Sequence, residues 1–241
     1  MINVQNLNKN YGTTPAIKDV SFQIKQGEIV GFLGLNGAGK TTLMRILTGY
    51  LPFNSGKVFV AGHDMDHDHL LAKREIGYLP ETPPLYPSMT TVEYLLFAGQ
   101  LRGIARKYLQ ERTEEVLAQC DIGDVRHQPI GQLSKGYKQR VGIAQAIIHE
   151  PSILVLDEPT DGLDPRQILQ VRHLLKRLEG RRTVILSTHI LAEIEEIAQR
   201  IIILHKGKIV ADDSLENLLK TADGPAQGHK RLEQLFLKIT A

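Results

Sequence analysis

Residues 34–41 read Gly34-Leu35-Asn36-Gly37-Ala38-Gly39-Lys40-Thr41 and match the phosphate-binding P-loop pattern at every fixed position. Upstream, the apolar run Glu28-Ile29-Val30-Gly31-Phe32-Leu33 predicts a buried strand, and downstream residues 42–47 carry apolar side chains at helical spacing. The glycines let backbone N–H groups converge on phosphate oxygens, and the helix adds the positive end of its dipole. A glycine-rich turn that only joins a strand to a helix is the alternative, but the Lys-Thr pair favours a nucleotide triphosphate.

The residues of this loop have distinct expected roles. Lys40 should reach the β- and γ-phosphates and assist catalysis, and the Thr41 hydroxyl should ligate Mg²⁺. The residues predicted to hold the nucleotide here are Gly34, Leu35, Asn36, Gly37, Ala38, Gly39, Lys40, Thr41 and Thr42.

The composition is that of an ordinary globular protein. The 241 residues are 42% apolar, and 29 basic and 27 acidic residues give a net charge of +2, so no dominant field indicates nucleic acid or an anionic membrane. No run approaches the roughly 20 apolar residues that span a bilayer, and the N-terminus lacks a secretion signal. The single cysteine, Cys120, is expected to be buried, which fits a reducing cytoplasm. We therefore expect a cytoplasmic chain without a transmembrane segment.

The first part of the chain predicts strands. The segments Ile2 to Leu7 and Ile17 to Ile24 predict an antiparallel layer that leads into the P-loop strand, Glu28 to Leu33. From about Thr91 to Glu150 the apolar spacing becomes helical, which predicts an inserted helical subdomain.

Strands resume at residues 153–156 and 183–186, with a helix between them from about Pro165 to Leu178. This βαβ alternation is typical of a parallel sheet, so the core is α/β. In the tail, residues 221–228 predict a flexible connection, and residues 232–239 predict a short helix with one apolar face.

A second nucleotide signal is Ile153-Leu154-Val155-Leu156-Asp157-Glu158, in which an apolar strand ends in two carboxylates. This is the Walker B pattern, and Asp157 is predicted to hold Mg²⁺. Glu158, directed elsewhere by the strand pleat, is predicted to polarise the attacking water. A solvated acidic turn is the alternative for such a strand, but the P-loop favours the catalytic interpretation.

Between these motifs, residues 133–141 read Leu-Ser-Lys-Gly-Tyr-Lys-Gln-Arg-Val, with Ser134 as a good N-cap for the helix through Ile148. The segment resembles the Leu-Ser-Gly-Gly-Gln signature of ABC-type ATPases, with Lys135 and Tyr137 as departures. The resemblance implies that the helix start at Ser134 and Gly136 binds the γ-phosphate of ATP held by an opposite subunit. A capped helix start without a ligand is the simpler alternative.

The same resemblance assigns roles elsewhere in the order usual for that family. Tyr11 resembles the aromatic residue that stacks on adenine, and Asp164 lies in a Gly-Leu-Asp-Pro segment that resembles the loop crossing the dimer interface. His189 resembles the switch histidine that contacts the γ-phosphate. Glu81 occupies the place where the family usually has a Gln that touches Mg²⁺, which is another departure.

The resemblance implies a P-loop NTPase core with a RecA-like mixed sheet, an antiparallel β subdomain and an inserted helical subdomain. The ATPase domain is expected over residues 1–220, with the helical insertion at about 82–150 and a helical extension at 221–241. Glu81 and the Leu-Ser-Lys-Gly-Tyr segment resemble ABC-2-type export ATPases, including the gliding-motility-like branch.

The expected function is the binding and hydrolysis of ATP with Mg²⁺ at a dimer interface. The dimer, of identical or different ATPase chains, would power transport through a separate integral membrane permease that holds it at the inner face of the membrane. Export is the expected direction. A soluble ABC ATPase acting on nucleic acid or ribosomes is the competing hypothesis. The run His63-Asp64-Met65-Asp66-His67-Asp68-His69 is interpreted as a solvated surface loop rather than a metal site.

Overall fold

The computed structural model describes residues 1–178, 180, 182–221 and 229–240, which form two β-sheets and surrounding helices. The described strands are β1 (Ile2–Tyr11), β2 (Thr14–Ile24), β3 (Ile29–Leu33), β4 (Ser55–Val60), β5 (His63–Asp64), β6 (Ile76–Leu79), β7 (Ile153–Asp157), β8 (Thr183–Thr188), β9 (Arg200–His205) and β10 (Lys208–Ser214). The described α-helices are α1 (Lys40–Leu47), α2 (His69–Arg74), α3 (Thr91–Leu101), α4 (Arg106–Gln119), α5 (Lys135–Ile147), α6 (Pro165–Arg177), α7 (Leu191–Ile197), α8 (Leu215–Thr221) and α9 (His229–Thr240). Short 3₁₀ turns occur at Gly123–Val125 and Ile130–Gln132.

The larger sheet has the strand order β10-β9-β3-β8-β7-β6. Strands β9, β3, β8, β7 and β6 run parallel to one another, and β10 is antiparallel at the edge. Every residue of β3, β7 and β8 is buried, as expected for central parallel strands covered on both faces. The carboxyl ends of these three strands therefore meet at one edge, where open α/β sheets bind their ligands.

The smaller sheet is antiparallel and has the order β2-β1-β4-β5. It packs over the larger sheet through a shared apolar cluster in which Phe22 of β2 meets Phe32 of β3 with ring centroids 5.3 Å apart. The hairpin of β1 and β2 extends as far as Tyr11 and Thr14, further than the apolar residues alone predicted. Cross-strand pairs continue to that turn, so backbone pairing rather than burial sets its length.

Helices α3, α4 and α5 form the insertion between β6 and β7. Thr90 and Glu93 form a reciprocal capping box that starts α3. The buried guanidinium of Arg112 donates to the carbonyl oxygens of Ile147 and Ile148, which satisfies the end of α5. Cys120 is buried in the apolar core that these helices share, and burial raises the pKa of its thiol to about 12. The predicted α/β core with an antiparallel sheet and inserted helices is thus confirmed.

The C-terminal part packs back on the core. Leu232 and Phe236 of α9 are buried in a cluster with Ile194 of α7 and Leu218 of α8. The predicted connection over residues 221–228 lies almost entirely outside the described residues. The division of the chain at residue 220 stays a prediction.

Residues 63–69 are not a loop throughout, because His63 and Asp64 pair with Val60 and Phe59 as strand β5, and α2 begins at His69. Across the residues that the structure describes, no helix has the length and apolar character of a membrane-spanning segment.

Candidate nucleotide-binding site

The P-loop connects β3 to α1 and has the backbone shape that its glycines allow. Gly37 and Gly39 adopt φ values of 80° and 108°, which side chains other than glycine rarely tolerate. Gly39 is also the N-cap of α1 and offers no side-chain cap, so backbone N–H groups at the start of the helix are available to an anion.

Lys40 begins α1 and is only 5% exposed. Its Nζ donates to the carbonyl oxygen of Gly34 at 2.7 Å and lies 3.3 Å from Oε1 of Glu158. A buried ammonium is costly to desolvate unless it is paired, so the loop carbonyls and the carboxylate hold it at the mouth of the loop. The cation is therefore placed for a phosphate.

Asp157 ends β7 and is fully buried. Its Oδ1 accepts hydrogen bonds from Ser187 Oγ at 2.5 Å and from Thr41 Oγ1 at 3.2 Å. Its Oδ2 is buried with no hydrogen-bond partner among the described residues. Burial raises the pKa of Asp157, the nearby Glu158 charge adds to this, and the two hydroxyl donors oppose it.

Glu158 follows the strand in a left-handed conformation, with φ at 48°. The expectation that the pleat of the strand directs this side chain is wrong, because β7 ends at Asp157. Instead, the backbone N–H of Glu158 donates to Ser187 Oγ at 3.0 Å, and the turn aims the carboxylate towards Lys40. Such a strained non-glycine residue is typical of a functional site.

His189 follows β8 and completes a row of contacts. Its Nδ1 lies 3.0 Å from Oε2 of Glu158, while Oε1 of the same carboxylate faces Lys40. An ionised carboxylate only accepts hydrogen bonds, so Nδ1 carries the proton in the neutral histidine that makes this contact. The three predicted catalytic residues are therefore joined through Glu158, which contacts both Lys40 and His189.

A cavity of about 480 Å³ opens over these residues. It is lined by Tyr11, Ala16, Asn36, Gly37, Gly39, Lys40, Thr41, Thr42, Glu81, Glu158, Asp161 and His189. Tyr11 is 48% exposed at the rim, as an adenine-stacking ring would need to be, and Glu81 lines the cavity from the loop after β6. Gly34, Leu35 and Ala38 do not line it, but the carbonyl oxygens of Gly34 and Leu35 hold Lys40.

The signature residues lie outside this cavity. Ser134 is the exposed N-cap of α5, and its hydroxyl accepts a hydrogen bond from the Tyr137 N–H at 3.4 Å. Asp164 is the exposed N-cap of α6 and accepts from the Gln167 N–H at 3.0 Å. Gly136 is buried against Gln167, where an added Cβ would lie 2.5 Å from the amide carbon. The starts of α5 and α6 thus form one face, separate from the P-loop.

Two residues of the site were missed by the sequence reasoning. Ser187 orients Asp157 and the backbone of Glu158, and a register argument could have found it because Asp157 pairs with Ser187 across β7 and β8. Asp161 lines the cavity and lies 3.3 Å from Lys135 Nζ, for which the sequence carried no signal. Among the described residues, no three histidine, cysteine, aspartate or glutamate side chains cluster as a metal site.

Residues 17–161 match the ABC transporter family. The chain belongs to this family. The bacitracin transport ATP-binding protein BcrA of Bacillus licheniformis is 37% identical over 222 residues, which cover 91% of this chain and 72% of that protein. The lantibiotic transport ATP-binding protein SrtF of Streptococcus pyogenes is 35% identical over 237 residues, which cover 98% of this chain and 96% of that protein.

A solved dimeric ATP-binding cassette, bound to ADP and Pi in a post-hydrolysis state, has a TM-score of 0.81 to this ABC subunit and 27% identity. The match covers 89% of this chain and 99% of that one. The chain is accordingly an ATP-binding subunit of an ABC transporter and an ATPase. The alternative of a nucleic-acid or ribosome-directed ATPase is not favoured, since both relatives named here are transport proteins.

Proposed function

We propose that this chain binds ATP in the cavity over the P-loop and hydrolyses it to drive export through a separate membrane permease. The observation that carries the proposal is the row of contacts from Lys40 through Glu158 to His189, at 3.3 and 3.0 Å, beside an exposed tyrosine. A row of a cation, a carboxylate and an imidazole supports the proposal, because groups of this kind are expected around the γ-phosphate of a P-loop nucleotide.

In the proposed reaction, Glu158 accepts a proton from a water molecule as its oxygen attacks the γ-phosphorus. The bond from that phosphorus to the β,γ-bridging oxygen breaks, and ADP and inorganic phosphate are released. Lys40 offsets the negative charge on the transferred group, and the P-loop N–H groups hold the phosphates. His189 orients the carboxylate through the contact at Nδ1.

The residues near Thr41 fit Mg²⁺. Asp157 carries a buried oxygen without a protein partner, and the Thr41 hydroxyl lies 3.2 Å from its other oxygen, so hard oxygen donors converge at one point. When bound, Mg²⁺ would neutralise phosphate charge. Glu81 lines the same cavity and is proposed as a further ligand from the loop after β6.

We propose that a second ATPase subunit, identical or different, completes the site. Ser134, Gly136 and Asp164 are predicted to contact nucleotide, yet they lie on the separate face formed by the starts of α5 and α6. A helix start with an exposed cap suits an anion supplied by another chain. The solved cassette bound to ADP and Pi, which is dimeric, supports this arrangement.

The proposed permease contact is the loop from Glu81 to Met89 together with the inserted helices. Tyr86 in this loop is 50% exposed, and its ring packs against Tyr94 and Phe97 of α3 with centroids 6.1 and 5.7 Å apart. Because Glu81 lines the nucleotide cavity, this loop joins the site to the contact surface. Such a permease would hold the subunit at the cytoplasmic face of the membrane, and the bacitracin and lantibiotic transport relatives support export.

Two measurements test the proposal. The purified chain should hydrolyse ATP in the presence of Mg²⁺, and Lys40→Ala should weaken ATP binding; unchanged affinity would overturn the P-loop assignment. Affinity purification of the chain from detergent-solubilised membranes should recover an integral membrane protein. Tyr86→Asp should reduce that recovery, whereas Leu237→Asp, at an exposed position of α9, serves as the control and should not.

A further inference from the structure

Glu193 is a buried carboxylate that the proposed hydrolysis does not use. It lies on α7, four residues after His189, and is only 3% exposed. Its Oε2 accepts hydrogen bonds from the hydroxyls of Thr160 and Thr188, the second at 3.4 Å. Its Oε1 is buried without a hydrogen-bond partner among the described residues. Burying a carboxylate opposes folding unless its contacts compensate, so this position calls for an explanation.

The two threonines belong to the two segments that carry the catalytic pair. Thr160 lies in the turn after Glu158, in which the Asp161 N–H donates to the Glu158 carbonyl oxygen at 3.2 Å. Thr188 precedes His189, and its hydroxyl oxygen also accepts from the Ile190 N–H at 3.0 Å. One carboxylate oxygen therefore joins the turn after β7 to the turn after β8.

Helix α7 is itself firmly placed. Ile194, next to Glu193, packs so closely on β3 that an added Cβ at Gly31 would lie 2.2 Å from its Cδ1. On its other side Ile194 belongs to the cluster that includes Leu232 and Phe236 of α9. Helix α7, which carries Glu193, is therefore held by packing on two sides, as the support for a group that fixes the position of its neighbours needs to be.

We propose that Glu193 is a positioning residue for ATP hydrolysis, which holds the turn of Glu158 and the turn of His189 in mutual register through Thr160 and Thr188. The proposal rests on the proposed roles of Glu158 and His189. The direct contact between these two side chains, 3.0 Å long, and the hydrogen bond from the Glu158 N–H to Ser187 Oγ join the two turns on one side. The hydrogen bonds to Glu193 join the two turns at a second point. The Glu158 carboxylate and the His189 imidazole can then contact the γ-phosphate together.

The test compares turnover with affinity in Glu193→Ala and Glu193→Gln. Misplacement of catalytic groups lowers rate more than binding, so Glu193→Ala should lower kcat roughly tenfold or more and change KM for ATP less than about threefold. Glu193→Gln should fall between, because its amide oxygen still accepts a hydroxyl hydrogen bond. Glu196→Ala, at an exposed position of the same helix, is the matched control and should retain wild-type kcat.

Substitution of Thr160 perturbs its hydrogen bond to Glu193 more mildly. Thr160→Val removes the hydroxyl at nearly constant shape and should lower kcat in the same way, while Thr160→Ser should restore it. If the two residues act as one unit, the double variant Glu193→Gln/Thr160→Val should be no slower than the more impaired single variant. Wild-type kcat in Thr160→Val would overturn the proposal, even if Glu193→Ala fails to fold.

Hydrogen exchange provides a result that does not depend on hydrolysis. Glu193→Ala should accelerate amide exchange in both segments 158–164 and 187–191, with β3 unchanged, and Glu196→Ala should accelerate neither. Faster exchange confined to α7 would overturn the positioning role. Absence of ATP hydrolysis by the wild-type chain would instead overturn the proposed function, and the exchange result would still decide the role of Glu193.

Discussion

The starts of helices α1 and α5 are both predicted to bind the phosphates of a nucleotide, but their surroundings differ. The start of α1 is enclosed by Lys40, Asp157, Glu158 and His189 at the edge of the large sheet. The start of α5 is open: Ser134 is exposed, and the neighbouring Lys135 pairs with Asp161 of its own chain. The first start has its proposed catalytic groups within the chain, whereas the second has none. The difference fits the proposal that α5 acts on a nucleotide bound by another subunit.

The largest effect, on ATP hydrolysis, is expected at the start of α1, which we call the enclosed start; the start of α5 is the open start. Glu158→Gln removes the proposed general base but keeps the P-loop and Lys40, so hydrolysis should fall roughly 10²- to 10⁴-fold while ATP still binds. Steady-state kinetics and equilibrium binding of ATP measure the two quantities separately. Glu150→Gln, at a surface carboxylate beside Arg112, is the control. Wild-type turnover in Glu158→Gln would show that the enclosed start lacks its presumed base.

An intermediate effect, on the pH dependence of stability, is expected where the helical insertion meets the α/β core. His149 lies just beyond α5, with Nε2 3.1 Å from the carbonyl oxygen of Ile76 in β6. Burial, with a contribution from the positive charge of Arg102, lowers its pKa to about 4. The unfolded chain therefore takes up a proton near pH 6.5 that the folded chain does not, so stability falls as the pH drops towards 4.

The corresponding variant is His149→Gln, which keeps a donor for Ile76. Between pH 6.5 and 4 the free energy of unfolding of the wild type should fall by about 3 kcal/mol more than that of the variant. Chemical denaturation across this pH range measures the difference, and His173→Gln on the exposed side of α6 is the control. Parallel curves for the wild type and His149→Gln would contradict the assignment.

The smallest effect is expected at the open start. Lys135 and Asp161 are each about half exposed, at 55% and 45% of their side chains, so their ion pair is screened by solvent. Lys135→Ala should lower the free energy of unfolding by less than about 1 kcal/mol, and only at low salt. Denaturation of the wild type and the variant at two salt concentrations tests this. A larger loss that persists at high salt would show that α5 is tied firmly to the core.

The surroundings of the two helix starts could be predicted from the sequence to different degrees. The P-loop and the strand of Asp157 follow from apolar runs that end in phosphate- and metal-binding residues, so their meeting at one sheet edge could be foreseen. The direction of Glu158 could not, because it depends on a left-handed backbone held by Ser187, a residue distant in sequence. Likewise Asp161 and Glu193 gain their contacts only through tertiary packing.

The open start was predictable in part. Ser134 was expected as an N-cap, and its hydroxyl does accept the Tyr137 N–H. Lys135, one of the two departures from the family signature, pairs with Asp161 in the structure. Spacing alone does not reveal that pairing, because the partner comes from the loop after β7. The roles of Ser134, Gly136 and Asp164 across a dimer stay predictions.

The central claim, that the enclosed and open starts belong to two halves of one shared site, is tested most directly with mixed dimers. Chains with Lys40→Ala are combined with chains with Ser134→Arg, each carrying a different affinity tag, with Glu158→Gln in both to retain ATP. Our account predicts one retained ATP per mixed dimer and none in either parent dimer, because one composite site has both Lys40 and Ser134 intact. Mixed dimers that retain no more ATP than the parents would contradict it.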